Sequence, residues 1–535
     1  MTEEEQYLWW KKEIVYQIYP QSYKDTSGDG IGDLQGIIQQ LDYLQELGVR
    51  VIWISPIFPS PMADFGYDVS DYTGIHPIFG SMEDFDQLLS AIKERDMKLI
   101  LDLVPNHTSD QHPWFLESRK SRDSAKRDWY IWKDPGPDGS EPNNWLAAFG
   151  GKGWEWDQAT EQYYFHSFLK EQPDLNWRNQ EVKEAMFDVM RFWLNKGVDG
   201  FRVDVMWHLI KDDQFRDNPP NPDYEEHMST YDALLPIYST DQAEVHDIVE
   251  QMREVVDEYE ERLLIGEIYL PLDKLVKYYG QNNQGAHLPF NFQLISLPWE
   301  ARRLDLAINE YEGSLPEQGW PNWVLGNHDN SRIASRVGKD QARVAAMLLF
   351  TLRGTPTMYY GDEIGMADVD IPPSRVQDPQ EKNIPGKGLG RDPQRTPMQW
   401  DDSENAGFSE VEPWLPLGNF KEVNVSAQKG IQDSFYEFYR RMIRFRNEES
   451  ALQIGDYQPV FATGAVLSFL RIHKNKKFLV ALNLSDATES LQPDLKEWNG
   501  EVRLGTHIGM EGKSMEGKIE LEPNQGLLLE VSYID

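Results

Sequence analysis

The 535-residue sequence predicts an α/β protein. The fold is a closed (β/α)8 barrel of the TIM type, with a loop-rich insertion after the third strand and a C-terminal antiparallel β domain. Three observations lead there. Eight short β-branched runs alternate with amphipathic stretches of helical period, a rhythm that builds a parallel sheet and, with eight strands, closes it. One long stretch rich in Trp, Tyr, Gly, Pro and Asn interrupts the rhythm after the third run. Past Asn447 the pattern switches to apolar–polar alternation with turn signals such as Asn475.

Taken in order, the first strand is Ile14–Tyr19, followed by a helical stretch at Leu34–Leu47 and a second strand at Val51–Ser55. Met82–Arg95 is helical and Lys98–Val104 is the third strand. Residues 106–177 carry no clear helix and read as an inserted subdomain. Helix Gln180–Asn195 and strand Gly200–Val205 restore the alternation. A second, smaller insertion at 212–240 contains Asn218-Pro219-Pro220-Asn221-Pro222; long connections of this kind are usually functional. Helix Asp241–Glu261 then leads to strands Leu263–Ile268, His287–Phe292, Asn322–Gly326 and Pro356–Tyr360. The barrel therefore occupies 1–105 and 178–450. The β domain, 451–535, has strands at Ala465–Ile472, Phe478–Asn483 and Gly526–Val531.

Composition removes several function classes. With 52 basic against 89 acidic residues the formal charge is −37, which repels phosphate backbones and argues against a nucleic-acid partner. The absence of cysteine excludes disulfides, thiolate metal sites and a cysteine nucleophile, and it suits a reducing compartment. The acidic start Met1-Thr2-Glu3-Glu4-Glu5 is no secretory signal, and no run approaches the ~20 apolar residues of a membrane span. The expectation is a cytoplasmic monomer or homodimer acting on a small molecule, without membrane or nucleic acid. The 18 tryptophans suit a carbohydrate ligand, although buried aromatics explain them equally well.

The chemistry is expected at the C-terminal ends of the barrel strands. There the runs end in polar residues: Asn106-His107 after the third, Arg202-Val203-Asp204 on the fourth, Gly266-Glu267 on the fifth and Asn327-His328-Asp329 on the seventh. A lone Asp at a strand end is as often a structural charge as a functional one. Three carboxylates and two histidines gathered on one rim are too costly to desolvate without purpose. Glycoside cleavage needs such a set: an ionised carboxylate below the anomeric carbon and a protonated one for the leaving oxygen, about 5–5.5 Å apart in a retaining enzyme. Adjacent strands lie about 4.8 Å apart, which suits Asp204 and Glu267. Arg202, two residues before Asp204, points to the same side of its strand and favours the ionised form. Glu267, near other negative charge and partly desolvated, is expected to have a raised pKa and to act as the acid.

The stretches Asp102-Leu103-Val104-Pro105-Asn106-His107, Gly200-Phe201-Arg202-Val203-Asp204, Gly266-Glu267 and Asn327-His328-Asp329 resemble the motifs of the α-amylase superfamily of glycoside hydrolases (glycoside hydrolase family 13), in order and across nearly the whole chain. Gln172-Pro173-Asp174-Leu175-Asn176-Trp177 and Arg391–Trp400 resemble its oligo-1,6-glucosidase and α-glucosidase branch. The resemblance implies Asp204 as nucleophile, Glu267 as acid/base and Asp329 as transition-state stabiliser. It also implies a glucose pocket in which Asp68, paired with Arg391 (or Arg395), holds terminal hydroxyls and Tyr67 stacks under the ring. His107, His328, Arg202 and Gln172 complete that subsite, and Phe149 and Phe168 shape its wall; ordinary core is the competing reading for these two rings. The implied activity is exo-acting α-glucoside hydrolysis. Transglucosylation or sucrose isomerisation on the same intermediate is the alternative, and a non-catalytic sugar-binding or scaffold relative is the rival from another class. Val205 and the 284–292 loop point to different linkages, so α-1,4 against α-1,6 stays open.

Asp25-Thr26-Ser27-Gly28-Asp29-Gly30-Ile31-Gly32-Asp33 alternates acidic residues in a glycine-rich loop. Oxygens of Asp25, Ser27, Asp29, the Ile31 carbonyl and Asp33 suit a hard cation, and the resembled branch often holds structural Ca2+ or Mg2+ here. The alternative is a hydrogen-bonded Gly/Asp turn.

Overall fold

A computed structural model describes residues 8–460, 464–495 and 497–533. Eight parallel strands form the barrel: β1 (Val15–Ile18), β2 (Val51–Ile54), β3 (Lys98–Leu103), β4 (Gly200–Val203), β5 (Leu263–Gly266), β6 (Leu288–Pro289), β7 (Asn322–Val324) and β8 (Thr355–Tyr359). They pair in the order β7-β8-β1-β2-β3-β4-β5-β6, and a parallel bridge from Asn291 to Trp323 joins the two ends. All eight predicted strands are present, and β6 is the shortest because Pro289 has no N–H to donate to a ladder.

Every barrel strand is buried on both faces, so alternation decides what each residue meets. Val15, Val51, Trp53, Ile100, Leu263, Ile265 and Val324 fill the barrel interior, while Tyr16, Ile52, Ile54, Leu99 and Leu101 pack outward against the helices. Two residues further along the inward register come Gln17, Asp102 and Arg202, all fully buried. The polar floor of the site is thus the top layer of the barrel core.

The helical stretches lie where the periodicity puts them, at Met82–Glu94, Gln180–Lys196 and Val245–Asp257. The first has a capping box between Ser81 and Asp84, which satisfies two otherwise orphaned N–H groups. The stretch 34–47 is two helices, Leu34–Gln39 and Leu41–Leu47, broken at Gln40.

The insertion after β3 is more regular than its composition suggested. It holds a helix, Pro113–Ser118, and a three-stranded sheet of Trp132–Lys133, Gln162–Phe165 and Trp154–Asp157. Six residues are too few for a periodic signal, which is why this helix is invisible in the sequence. The segment 212–240 contains one short 3-10 turn, Thr230–Ala233. The C-terminal sheet has six strands ordered Asp456–Pro459, Val466–His473, Lys476–Asn483, Gly526–Tyr533, Trp498–Gly505 and Ser514–Glu516. Trp498–Gly505 went unread because its Asn499-Gly500 pair mimics a turn.

Candidate active site

Register places the acidic pair. Leu103 of β3 faces Val203 of β4, and Val203 faces Gly266 of β5, so Asp204 and Glu267 leave neighbouring strands side by side. Both line one cavity of about 310 Å3. Arg202 sits beneath, fully buried. Its Nη1 donates to Asp102 Oδ1 and to Asp204 Oδ1 at 2.8 Å each, and its Nη2 lies 2.8 Å from Glu267 Oε2. Arg202 therefore carries the floor from below and does not line the cavity as expected. The Val205 N–H donates to Glu267 Oε2 at 2.9 Å.

Burial is the largest influence on both acids and raises both. The charge of Arg202 opposes it, while neighbouring carboxylates reinforce it. The single guanidinium thus does not by itself offset burial at Asp204; the two carboxyls titrate as a pair, and holding one proton between them relieves their mutual repulsion. Immediately after Asp204 the chain turns sharply: Val205 has φ 38° and ψ 47°. A β-branched residue in the left-handed region is strained, and the strain aims Asp204 and the following Trp207 into the cavity.

Asp329 follows β7. Burial opposes its ionisation, but Arg395 Nη2 at 2.8 Å and Arg391 Nη1 at 3.4 Å override burial and hold it well below the ordinary carboxylate range. His328, 3.3 Å away, is kept neutral by burial, so the two arginines supply the positive charge. Its ring lies parallel to Tyr67 at 5.3 Å, and Tyr67 OH meets His328 Nε2 at 2.7 Å.

The end of the pocket away from the acid pair corrects one expectation. Asp68 does not reach the cavity. It is wholly buried, accepts hydrogen bonds from Ser60 Oγ and from the backbone of Ala63 and Asp64, and burial pushes it up to about 6. Asp64 takes its place: it lines the cavity and pairs with Arg391 Nη2 at 2.7 Å. Positive φ at Phe65 and Gly66 turns the chain so that Asp64 and Tyr67 face one space, a backbone feature that the spacing of the two aspartates does not reveal. Arg391 is also held by Asp378 at 2.7 Å, and its guanidinium lies 4.5 Å over the Phe149 ring. Arg395 contacts Asp329 but does not line the cavity, which decides between the two arginines.

Tyr67, His107, Phe149 and Phe168 line the same cavity. Gln172 stands behind them, donating to Asp64 Oδ2 at 3.2 Å, so it supports the wall and does not form it. Trp207, Tyr269, Asn330 and Gln380 also line the cavity; the first three follow within three residues of Asp204, Glu267 and Asp329, and that proximity is the sequence signal that could have found them. Tyr269 stacks on Phe292 at 4.0 Å and accepts from Asn330 Nδ2 at 2.9 Å.

The 25–33 loop lies apart from this cavity. Asp25 accepts from Gly28 N, Gly30 N, Ser27 Oγ and Ser409 Oγ, which occupies all four of its acceptor positions. Asp33 caps helix 34–39 and accepts from Thr26, Ser27 and Gly36. Asp29 accepts from the Ile31 N–H. Among the described residues no three His, Asp or Glu groups converge as metal ligands. These contacts are those of a hydrogen-bonded Gly/Asp turn; Asp25, Ser27, Asp29, the Ile31 carbonyl and Asp33 are the oxygens that would hold Ca2+ or Mg2+, in competition with the N–H donors on Asp25 and Asp33.

A proton-bearing carboxyl beside a carboxylate suits a bond whose carbon needs an anion while its leaving oxygen needs a proton, and that describes a glycoside hydrolase. The family follows from the whole sequence. Residues 17–455 match the alpha amylase catalytic domain, and the chain belongs to the alpha-amylase family. It is 40% identical to a probable alpha-glucosidase of Rhizobium meliloti, over 91% of each chain. It is also 40% identical to the oligo-1,6-glucosidase of Parageobacillus thermoglucosidasius, over 90% of this chain and 91% of that one. Among solved structures it resembles the alpha-glucosyl transfer enzyme XgtA with a TM-score of 0.93 at 38% identity, covering 98% of this chain and 100% of that one. An isomaltulose synthase of Erwinia rhapontici gives 0.92 at 34% identity, with the same coverage.

Proposed function

We propose that this chain is a retaining, exo-acting α-glucosidase that hydrolyses terminal α-glucosidic bonds of short oligosaccharides through a covalent glucosyl-enzyme. One observation carries the reading: Asp204 and Glu267 share a single cavity with Asp329 and the Asp64–Arg391 pair. In the first step Asp204 attacks the anomeric carbon, the glycosidic C–O bond breaks, and Glu267 gives its proton to the departing oxygen. In the second, Glu267 takes a proton from water, the water oxygen bonds to the anomeric carbon, and the Asp204 carboxylate leaves. Ionised Asp329 accepts hydrogen bonds from ring hydroxyls, and Asp64 and Arg391 hold those at the non-reducing end. The likeness to oligo-1,6-glucosidases and alpha-glucosidases supports this reading. A cysteine-free, acidic chain supports a cytoplasmic enzyme without a nucleic-acid partner.

The test is a panel of maltose, isomaltose, sucrose, trehalose and soluble starch, with the anomer released followed by NMR. The expected outcome is α-glucose from disaccharides, with turnover reduced by about 10⁴-fold or more in Asp204→Asn. Dominant starch activity would overturn exo-attack, and β-glucose would overturn retention. Glucosyl transfer is the second reading, supported by the likeness to XgtA. Oligosaccharide products exceeding free glucose at high substrate would select it.

A further inference from the structure

Lys211 lies seven residues beyond the nucleophile, is fully buried, and touches neither the cavity nor its carboxylates. Its ammonium donates to Asn106 Oδ1 at 2.7 Å and sits 2.5 Å from Asp174 Oδ2. An ammonium can only donate, so it fixes which way the Asn106 amide faces. The amide nitrogen is thereby turned to Asp174 Oδ2 at 3.1 Å and to His107 Nδ1 at 3.1 Å. A ring nitrogen facing an N–H must offer a lone pair, which leaves the imidazole proton on Nε2. On the other side of the ring His107 Nε2 lies 3.0 Å from the Tyr67 carbonyl oxygen, which can only accept; Gln172 Nε2 also lies 3.2 Å from it, but the two N–H groups of that amide are directed to Asp64 Oδ2 at 3.2 Å and the Tyr67 carbonyl at 3.3 Å. Tyr67 in turn presents its ring to the cavity and its hydroxyl to Asp102 and His328.

We propose that Lys211 is a positioning residue for the reaction: acting through Asn106, it fixes His107 as the tautomer protonated on Nε2 and so holds Tyr67 in place in the sugar pocket. The chain of contacts joins three separate segments, the loop after β4, the end of β3 and the return from the inserted subdomain, which Asp174 closes by accepting from the Ser167 N–H and hydroxyl. Strand β4 thus sets the nucleophile and, seven residues on, the orientation of the opposite wall. The pocket role rests on the reading of this cavity as the sugar site; the tautomer does not.

Two variants of the full-length enzyme test it. Asn106→Asp is nearly isosteric and keeps the pair with Lys211, but it has no N–H to offer His107. Lys211→Met removes the ammonium. Side-chain 15N spectra of histidine-labelled protein, with His107 assigned from His107→Gln, report the tautomer without substrate. We expect wild type to carry the proton on Nε2 alone. Asn106→Asp should move it to Nδ1 or protonate both nitrogens, and kcat/KM on the preferred disaccharide should fall about ten- to a hundredfold, as loss of a charge-linked hydrogen bond implies. A His107 spectrum unchanged in Asn106→Asp would overturn the proposal, and so would a changed tautomer with wild-type kcat/KM. Lys211→Met should leave the His107 proton shared between the two nitrogens, and an Nε2-only spectrum in that variant would overturn the role of Lys211; should it fail to fold, Lys211→Gln is read in its place. An enzyme inactive on every glucoside would sink the functional reading, while the spectra would still report the tautomer.

Discussion

Asp64 and Asp68 stand four residues apart on one short turn and do different work. Asp68 is spent on its own backbone, and Asp64 meets the guanidinium of Arg391 at the cavity wall. Asp64→Asn should therefore lower kcat/KM by about ten- to a hundredfold with little change in melting temperature, since it weakens one charge-assisted hydrogen bond beside the substrate. Asp68→Asn should do the reverse. It places an N–H2 among donors, costs roughly 1–3 kcal/mol of stability, and leaves kcat/KM within a few-fold. Steady-state kinetics and thermal melts on both variants check this, and swapped effects would return Asp68 to the site. The sequence reading singled out Asp68 and passed over Asp64. Which of them faces the sugar depends on two positive φ angles, at Phe65 and Gly66, and no residue pattern states them.

At the level of elements, the strands that carry Asp204, Glu267 and Asp329 were readable because each is a short β-branched run ending in a polar residue. The turn at 25–33 shows the limit of such reading. Alternating acids in a glycine-rich loop serve a cation or a network of N–H donors equally well, and only the direction of the donors separates the two. Here the loop N–H groups point at Asp25 and Asp33. EDTA should therefore leave the melting temperature unchanged, and millimolar Ca2+ or Mg2+ should raise it by less than about 1 °C, because a ligand that does not bind the folded state adds no stability. A rise of several degrees would show that the loop opens to take an ion. The helix Pro113–Ser118 was missed for the opposite reason: too short to show a period, it is held by tertiary contacts such as the stacking of Phe115 on Trp132 at 5.7 Å.

The whole molecule has a pH at which it is most stable, and two sets of buried groups fix its sign. Burial lowers His107 and His112 to about 4 and His208 to about 3. Below the unfolded value of about 6.5 the unfolded chain binds protons that the folded chain refuses, so stability falls as pH drops. Burial raises Asp362 to about 7, so between about pH 4 and 7 the folded chain holds a proton that the unfolded chain has lost; this contribution is full below about 4, falls away across that window and is gone above about 7. The large negative charge acts in the same direction on the alkaline side. The melting temperature should therefore peak between about pH 6 and 7, and Asp362→Asn, which removes the opposing loss, should steepen the rise in stability between about pH 4 and 6.5. A maximum at pH 8 or above, or an unchanged slope between about pH 4 and 6.5 in the variant, would contradict this assignment. The barrel, its C-terminal sheet and the family are legible along the chain, because strand period, turn residues and short motifs are local and survive in one dimension. That Asp64 and not Asp68 meets Arg391, that Arg202 lies under the site, and that the N–H groups of the 25–33 loop turn inward emerge with the packed fold. Each of these depends on where a donor or a charge points after distant segments have packed, and direction in space is not a property of spacing along a chain.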